Sequence, residues 1–319
     1  MSFKVLLPIF MLTFNCLGLD FSEIESMINR NRVDSSITVI EKIPNDSWQY
    51  KYLLGRLKFS QSLFDDAEDL FEEALEENKN SYLINFYLKR SIFEGSDSFF
   101  GFTGRLNDYI NAIDLCFEKE PNKYAKYYIP IIPVLAVMPS MGGGDKERSD
   151  LILKKLSSLK ESYYYDLSKI YIEIFKNKIA KKGNENIIKL FSDLEVKFPN
   201  KEFTKEYYNL TYKVDKAYQD GYDFNMKFDH PINNFYLGYY QTKLLNNIDN
   251  GIKMLENYLN CTIDLEEGYP TYSAAHRQLA LLYNSKGDKK KALYHIDEAI
   301  RLNPGREDVY DEVRDEIEE

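Results

Sequence analysis

Histidine and cysteine side chains supply many of the nucleophiles, general bases and metal ligands of enzymes. The 319-residue chain contains His230, His276, His295, Cys16, Cys116 and Cys261. They do not have the spacing of a metal site, and His-Glu-x-x-His, Cys-x-x-Cys and Gly-x-Ser-x-Gly are absent from the sequence. The sequence therefore predicts no catalytic residue, no metal and no cofactor, although folding could still bring scattered groups together.

A glycine-rich stretch, residues 141–146, could in principle cradle a phosphate group. A nucleotide-binding loop needs Gly, four residues and then Gly-Lys-Ser/Thr, directly after a strand. Here Gly-Asp-Lys at 144–146 is followed by Glu147, and no stretch of the chain alternates like a strand over a useful length. The same Gly-Asp-Lys recurs at 287–289. Both copies are therefore predicted to be turns between helices.

The chain is acidic, and this restricts its partners. It carries 51 Asp and Glu against 41 Lys and Arg, a formal net charge of −10, and its longest basic run is residues 289–291. Nucleic-acid backbones and anionic membranes attract basic surfaces. No nucleic-acid partner is predicted, and contact with a membrane is expected only if a lipid anchors the chain.

The first 18 residues have the layout of a secretory signal peptide. Lys4 provides a positive start, residues 5–14 are almost wholly apolar, and Cys16 and Gly18 offer small residues before a cut. The apolar stretch is shorter than the roughly 20 residues that span a bilayer. The alternative is a buried amphipathic first helix. We expect export to the periplasm or cell envelope.

Cys16 could also be a site of lipid attachment. A lipoprotein would be cut just before this residue and acylated on it, and Leu12 lies within one position of where that pattern has a leucine. However, Asn15 and Phe14 stand where the pattern prefers small residues. The sequence leaves lipid attachment and soluble export open.

Two stretches, residues 48–81 and 273–306, share one pattern of large and small residues at helical spacing, split by a turn. The shared positions are Leu54, Gly55, Ala67, Phe71 and Ala74 in the first copy and Leu279, Ala280, Ala292, Ile296 and Ala299 in the second, whereas Lys58 stands where the second copy has Tyr283. Such spacing puts each set on one helix face, and Pro304 ends the second copy because proline breaks a helix. The pattern resembles the tetratricopeptide repeat (TPR), a 34-residue helix–turn–helix unit.

The resemblance implies an all-α fold, a TPR-like right-handed α-solenoid of antiparallel helix pairs. We expect residues 19–319 to form one solenoid of about five to seven pairs. Cys116 falls on a small-residue position, so it is predicted to be buried at a helix crossing. Residues 222–231 are irregular in sequence, and a long loop or hinge is predicted over 221–231.

The resemblance also implies a binding surface, because such solenoids bind through the concave face formed by the first helix of each pair. The aromatic and arginine residues at these positions, the types that most often anchor interfaces, are Tyr52, Arg56, Phe59, Phe235, Tyr239 and Arg277. Some TPR proteins hold a peptide carboxylate with an Arg/Lys/Asn clamp. Leu281 stands where that clamp has asparagine, so this particular activity is not expected.

Taken together, these features predict a non-catalytic scaffold of the cell envelope that binds a protein or peptide partner through its concave face. The alternative is a periplasmic accessory subunit that helps to deliver a small molecule to a transporter. A deep apolar pocket inside the superhelix would favour the accessory subunit, whereas an open polar groove would favour the scaffold.

Overall fold

The computed structural model describes residues 20–96, 101–180, 185–199, 216–227 and 230–319. Within these ranges the regular structure is helical and contains no β-strand, which confirms the predicted all-α fold. The helices are α1 Phe21–Asn29, α2 Val33–Ile40, α3 Trp48–Ser60, α4 Phe64–Glu77, α5 Tyr82–Glu94, α6 Phe102–Lys119, α7 Pro121–Tyr124, α8 Ile132–Val137, α9 Lys146–Ser157, α10 Tyr163–Ala180, α11 Glu185–Lys197, α12 Tyr218–Asn225, α13 Pro231–Leu244, α14 Ile248–Leu259, α15 Tyr272–Ser285, α16 Lys289–Leu302 and α17 Glu307–Glu318. The predicted signal peptide, 1–18, and Cys16 lie outside the described residues.

Neighbouring helices pack in pairs joined by short turns, as in a TPR-like solenoid. Between α15 and α16 the turn contains Gly287 at φ +82°, a left-handed conformation that glycine adopts without strain. Asp288 then begins α16, because its side chain accepts a hydrogen bond from the backbone N–H of Lys291 at 3.1 Å. In the turn between α3 and α4, Ser62 takes the left-handed conformation at φ +57°.

The helix pairs are close because small residues lie where the helices cross. A Cβ atom added to Gly55 of α3 would lie 2.8 Å from the ring of Phe71 on α4. Added to Gly238 of α13, it would lie 2.2 Å from Cγ of Leu255 on α14. Cys116 is fully buried, and burial raises the pKa of its thiol to about 12. It therefore packs as a small apolar residue rather than as a nucleophile.

The loop predicted over 221–231 is shorter than expected, since α12 covers residues as far as Asn225. The sequence suggested that Gly221 ends a helix, but it lies inside α12. A Cβ atom there would be 2.4 Å from the Tyr240 ring of α13, so the glycine is needed for the close approach of that ring. Asn225 is buried and donates from Nδ2 to the Gly221 carbonyl at 2.7 Å. The glycine thus marks a close helix crossing.

The two ends of the described solenoid meet, which the sequence did not predict. Arg301 at the end of α16 donates to Asp34 of α2 at 2.8 Å. The backbone N–H of Tyr272, the first residue of α15, donates to Asn31 Oδ1 at 3.0 Å. These contacts bring the last helix pair against the first. Across the described ranges, no helix combines the length and apolar character needed to cross a bilayer.

Candidate functional site: the inner groove

The structure brings together three residues predicted on the concave face, Tyr52, Arg56 and Phe59 of α3. Ser47 begins this helix by accepting a hydrogen bond from the Tyr50 backbone N–H at 3.3 Å. Tyr52 and Arg56 are one turn apart, and Arg56 Nη1 donates to the Tyr52 hydroxyl at 3.2 Å. Both side chains are buried and Phe59 is half-buried. Arg56 is covered in part by Glu266, a residue far away in the sequence.

Helix α5 adds Tyr87 and Arg90 to this surface. The Arg56 guanidinium lies 3.9 Å over the Tyr87 ring, and that of Arg90 lies 4.7 Å from the centre of the Phe59 ring. Arg90 follows Arg56 by 34 residues, the length of one repeat. Arg90 was not predicted from the sequence, although the repeat length places it at the position that Arg56 has in the preceding repeat.

Lys126 and Tyr127, in the 3₁₀ turn Ala125–Tyr128, form the third part of the surface. The Arg90 guanidinium lies 5.1 Å from the centre of the Tyr127 ring. We call this surface the inner groove. It comprises Tyr52, Arg56, Phe59, Tyr87, Arg90, Lys126 and Tyr127.

The inner groove is occupied by part of the chain itself, residues 264–268, which we call the acidic segment. It belongs to the connection between α14 and α15. Asp264 accepts a hydrogen bond from the Glu266 backbone N–H at 2.9 Å, and Gly268 closes the 3₁₀ turn Leu265–Glu267 at φ +81°. The turn is therefore held by its own hydrogen bonds and presents the Glu266 side chain to the groove.

Neutral donors and a lysine bind Glu266 directly. The hydroxyl of Tyr87 donates to Oε1 at 3.3 Å, and the hydroxyl of Tyr127 donates to Oε2. Lys126 Nζ lies 3.5 Å from Oε2 and also donates to the backbone carbonyl of Glu266 at 2.6 Å. The groove thus contacts both the side chain and the main chain of the segment.

Two arginines complete the environment of Glu266. Arg56 Nη2 lies 3.7 Å and Arg90 Nη1 lies 3.9 Å from Oε1, and the Glu266 side chain is 19% exposed. Burial alone would raise the pKa of this carboxyl group, but Arg90, Arg56 and Lys126 outweigh it and lower the pKa to about 2. Glu266 is therefore ionised at neutral pH.

The groove arginines also have carboxylate partners of their own. Arg56 Nη1 lies 3.1 Å from Glu25 of α1, and Arg90 Nε lies 2.6 Å from Glu94 of α5. Arg56 Nη2 also donates to Asn29 Oδ1 at 2.7 Å. Lys126 Nζ also lies 3.6 Å from Glu267 Oε1 of the acidic segment. Without the acidic segment, three cations would face the two carboxylates of Glu25 and Glu94.

A cavity of about 390 Å³ adjoins the acidic segment. Its lining combines apolar and aromatic side chains with charged groups of the inner groove. The principal lining residues are Phe93, Leu106, Tyr109, Val134, Leu265 and Arg90. It is neither a purely apolar pocket nor a fully polar one.

The three predicted residues in the second half of the chain, Phe235, Tyr239 and Arg277, lie in different environments. Phe235 is 4% exposed and packs against Tyr236 and Tyr258, with ring centres 5.3 and 5.4 Å away. It is packed in the core, and its predicted role on a binding face stays a prediction. Tyr239 and Arg277 are half-buried and close enough to interact electrostatically, since Arg277 opposes the rise in pKa that burial causes at Tyr239.

The histidines and the described cysteines do not converge on one site. His276 and His295 pair through their Nδ1 atoms at 2.9 Å, and the Tyr283 ring stacks on His295 with centres 5.4 Å apart. His230 instead begins α13, where its Nδ1 accepts from the Ile232 backbone N–H at 3.3 Å. Among the described residues, no group of three or more His, Cys, Asp or Glu side chains could hold a metal ion.

Comparison with known proteins adds little to this geometry. No protein-family model and no curated protein matches the sequence. Among solved structures, a thermophilic TPR protein of Thermus thermophilus is similar at 17% sequence identity, over 85% of this chain and 97% of that chain, with a TM-score of 0.26. A likeness this low carries no argument. The fold class, a TPR-like helical-repeat protein, rests on the paired helices and their small-residue crossings.

Proposed function

We propose that this protein is a non-catalytic scaffold that binds a segment of another protein along its inner groove. The observation that carries the proposal is that three successive repeats already hold a peptide segment there, through α3, α5 and the Ala125–Tyr128 turn. Aromatic rings and arginines provide a large contact area with few rotatable bonds, as in the energetically dominant parts of interfaces. Tyr239 and Arg277 are proposed to extend this contact region.

Export to the cell envelope is part of the proposal, and the composition of residues 1–18 supports it. Either cleavage after Gly18 or acylation of Cys16 would produce the exported form. Intact-mass analysis of the protein from its own cells distinguishes these forms. A mass that still includes residues 1–18 would contradict export by this route.

The second candidate is the periplasmic accessory subunit that assists delivery of a small molecule. The cavity of about 390 Å³ beside Glu266 favours it, because its volume lies in the range of small-ligand pockets. Charged groups contribute to the lining, which favours the scaffold. Native mass spectrometry of the purified protein separates the two, since a small ligand would add a discrete mass that denaturation removes.

Site-specific photo-crosslinking tests the scaffold proposal. A benzoylphenylalanine in place of Phe93, which is half-buried and lines the cavity, should trap a protein partner in the producing cell. The matched control has the same residue in place of Tyr294, which is 58% exposed on α16, the second helix of its pair. A defined adduct from position 93 alone supports the proposal. No adduct from 93, or the same adduct from both positions, would contradict it.

A further inference from the structure

We propose that the acidic segment is a built-in competitor for the inner groove, and that the partner it excludes is itself an acidic peptide segment. In the bound state, an Asp or Glu carboxylate of the partner would take the position of the Glu266 carboxylate. This inference rests on the scaffold function proposed above and names the class of ligand and its regulation.

The charge of the groove selects a carboxylate. Lys126, Arg56 and Arg90 all lie within 4 Å of the Glu266 carboxylate oxygens, at 3.5, 3.7 and 3.9 Å. Once the acidic segment leaves and takes both Glu266 and Glu267 with it, Glu25 and Glu94 balance only part of this positive charge. Unpaired cations in a partly buried site are unfavourable. A segment that brings one carboxylate restores the balance, whereas a neutral or basic segment does not.

The groove also has the means to hold a main chain. Lys126 donates to the Glu266 carbonyl at 2.6 Å, so one cation serves both the backbone and the side chain of the occupant. The hydroxyls of Tyr87 and Tyr127 fix one carboxylate oxygen each. This arrangement recognises an acidic residue within a peptide rather than a free anion alone.

The acidic segment can leave without unpacking helices. Residues 260–271 connect α14 to α15, a longer connection than residues 78–81 between α4 and α5. Its two ends are held separately, because the Tyr258 hydroxyl donates to the Pro270 carbonyl at 2.5 Å and the Tyr272 hydroxyl donates to the Cys261 carbonyl at 2.6 Å. The turn between these anchors has its own hydrogen bonds and can move as a unit.

Such a tethered occupant weakens every external ligand. A segment held by a short linker competes at an effective concentration of the order of millimolar. The apparent affinity of the partner falls in proportion to the fraction of molecules with an open groove. Removing the Glu266 side chain should therefore strengthen the binding of an acidic peptide. Glu267 also lies 3.6 Å from Lys126 Nζ, so it is not a neutral control. Removing the carboxylate of Glu76, which is exposed on α4, should change little.

The test uses a labelled peptide of residues 262–270 and the purified full chain. Fluorescence anisotropy should give a dissociation constant for Glu266→Ala about tenfold lower than for the wild type, with Glu76→Ala unchanged. The same peptide with Glu266→Gln should not bind. Equal affinity of folded Glu266→Ala and wild type, or equal binding of the two peptides, would overturn the proposal.

If Glu266→Ala does not fold, amide hydrogen exchange of the wild type provides the test. Saturating peptide should accelerate exchange within 264–268 by about tenfold, because the segment is displaced. The peptide with Glu266→Gln should not. Unchanged exchange at millimolar peptide would overturn the inference. If position 93 still crosslinks to a partner, unchanged exchange contradicts only the competitor role of the acidic segment, and the scaffold function stands. If that adduct is also absent, both proposals fail.

Discussion

The backbone N–H of Gly305 donates to the carbonyl of Gln61 at 3.1 Å, so the turn after α16 pairs with the turn between α3 and α4. A Cβ atom on Gly305 would lie 2.2 Å from the carbonyl oxygen of Ser62, a backbone atom that cannot swing aside. This contact and the pair Arg301–Asp34 hold the two ends of the described solenoid together. The same closure brings Tyr272, which begins α15 after the acidic segment, to Asn31 Oδ1 at 3.0 Å.

Gly305→Ala should weaken this closure. The added methyl group has no space against Ser62, and overpacking of this kind costs about 1–3 kcal/mol of unfolding free energy. Denaturant unfolding measures the loss, and small-angle scattering should show a larger radius of gyration. The control is Gly104→Ala within α6, where no atom lies within 4 Å of the added Cβ, and this substitution should be neutral or slightly stabilising. Equal stability of both variants would contradict closure at Gly305.

Glu266→Gln should destabilise the protein at neutral pH by about 3 kcal/mol, because it removes the charge that Arg56, Arg90 and Lys126 share. Glu266 has a folded pKa of about 2, below the usual value of 4.5, so it contributes stability above pH 4.5 that is lost as the pH falls toward 2. The stability gap between variant and wild type should therefore close over that range. A gap that is the same at pH 7 and pH 2.5 would contradict the ion network.

The pair formed by half-buried His276 and buried His295 should make the fold sensitive to mild acid. Burial, followed by the proximity of His295, lowers the pKa of His276 to about 4, although Glu298 nearby acts in the opposite direction. A lowered histidine pKa means that stability present above pH 6.5 is lost as the pH falls through the folded value. His276→Asn should lose less stability between pH 7 and pH 5 than the wild type. Identical slopes in denaturant unfolding would refute this.

The repeat register can be tested in the last helix pair. Ala292 of α16 is fully buried at the crossing with α15, so Ala292→Leu should overpack it and lower the free energy of unfolding by about 1–3 kcal/mol. Lys290→Leu, on an exposed position of the same helix, is the matched control and should lie within about 0.5 kcal/mol of the wild type. An unchanged melting temperature for Ala292→Leu would mean that the register is wrong.

The sequence predicts much of the fold, because the features that define a helix pair are local. Large and small residues at helical spacing identify the crossings, and Gly55, Ala292 and Cys116 are all buried as that pattern requires. The prediction that a helix ends at Gly221 was wrong. In sequence, a glycine that ends a helix cannot be distinguished from a glycine that lets a neighbouring helix pack closely. Only the Tyr240 ring beside it distinguishes the two.

The site was predicted in part. Tyr52, Arg56 and Phe59 were found from the repeat, but their occupant was not, since Glu266 is separated from Tyr87 by 179 residues. No local pattern encodes such a contact. The signal that could have been used is the acidic connection between α14 and α15, which is longer than a helix pair needs. Phe235 packs in the core, because an aromatic residue on a first helix serves a core as readily as a binding face.

The most direct test of the central claim is amide hydrogen exchange of the protein with and without the partner recovered by crosslinking at position 93. Binding along the inner groove predicts slower exchange in α3, α5 and the turn Ala125–Tyr128, while α16 stays unchanged. Slower exchange confined to α4 or α16, the second helices of their pairs, would contradict the claim.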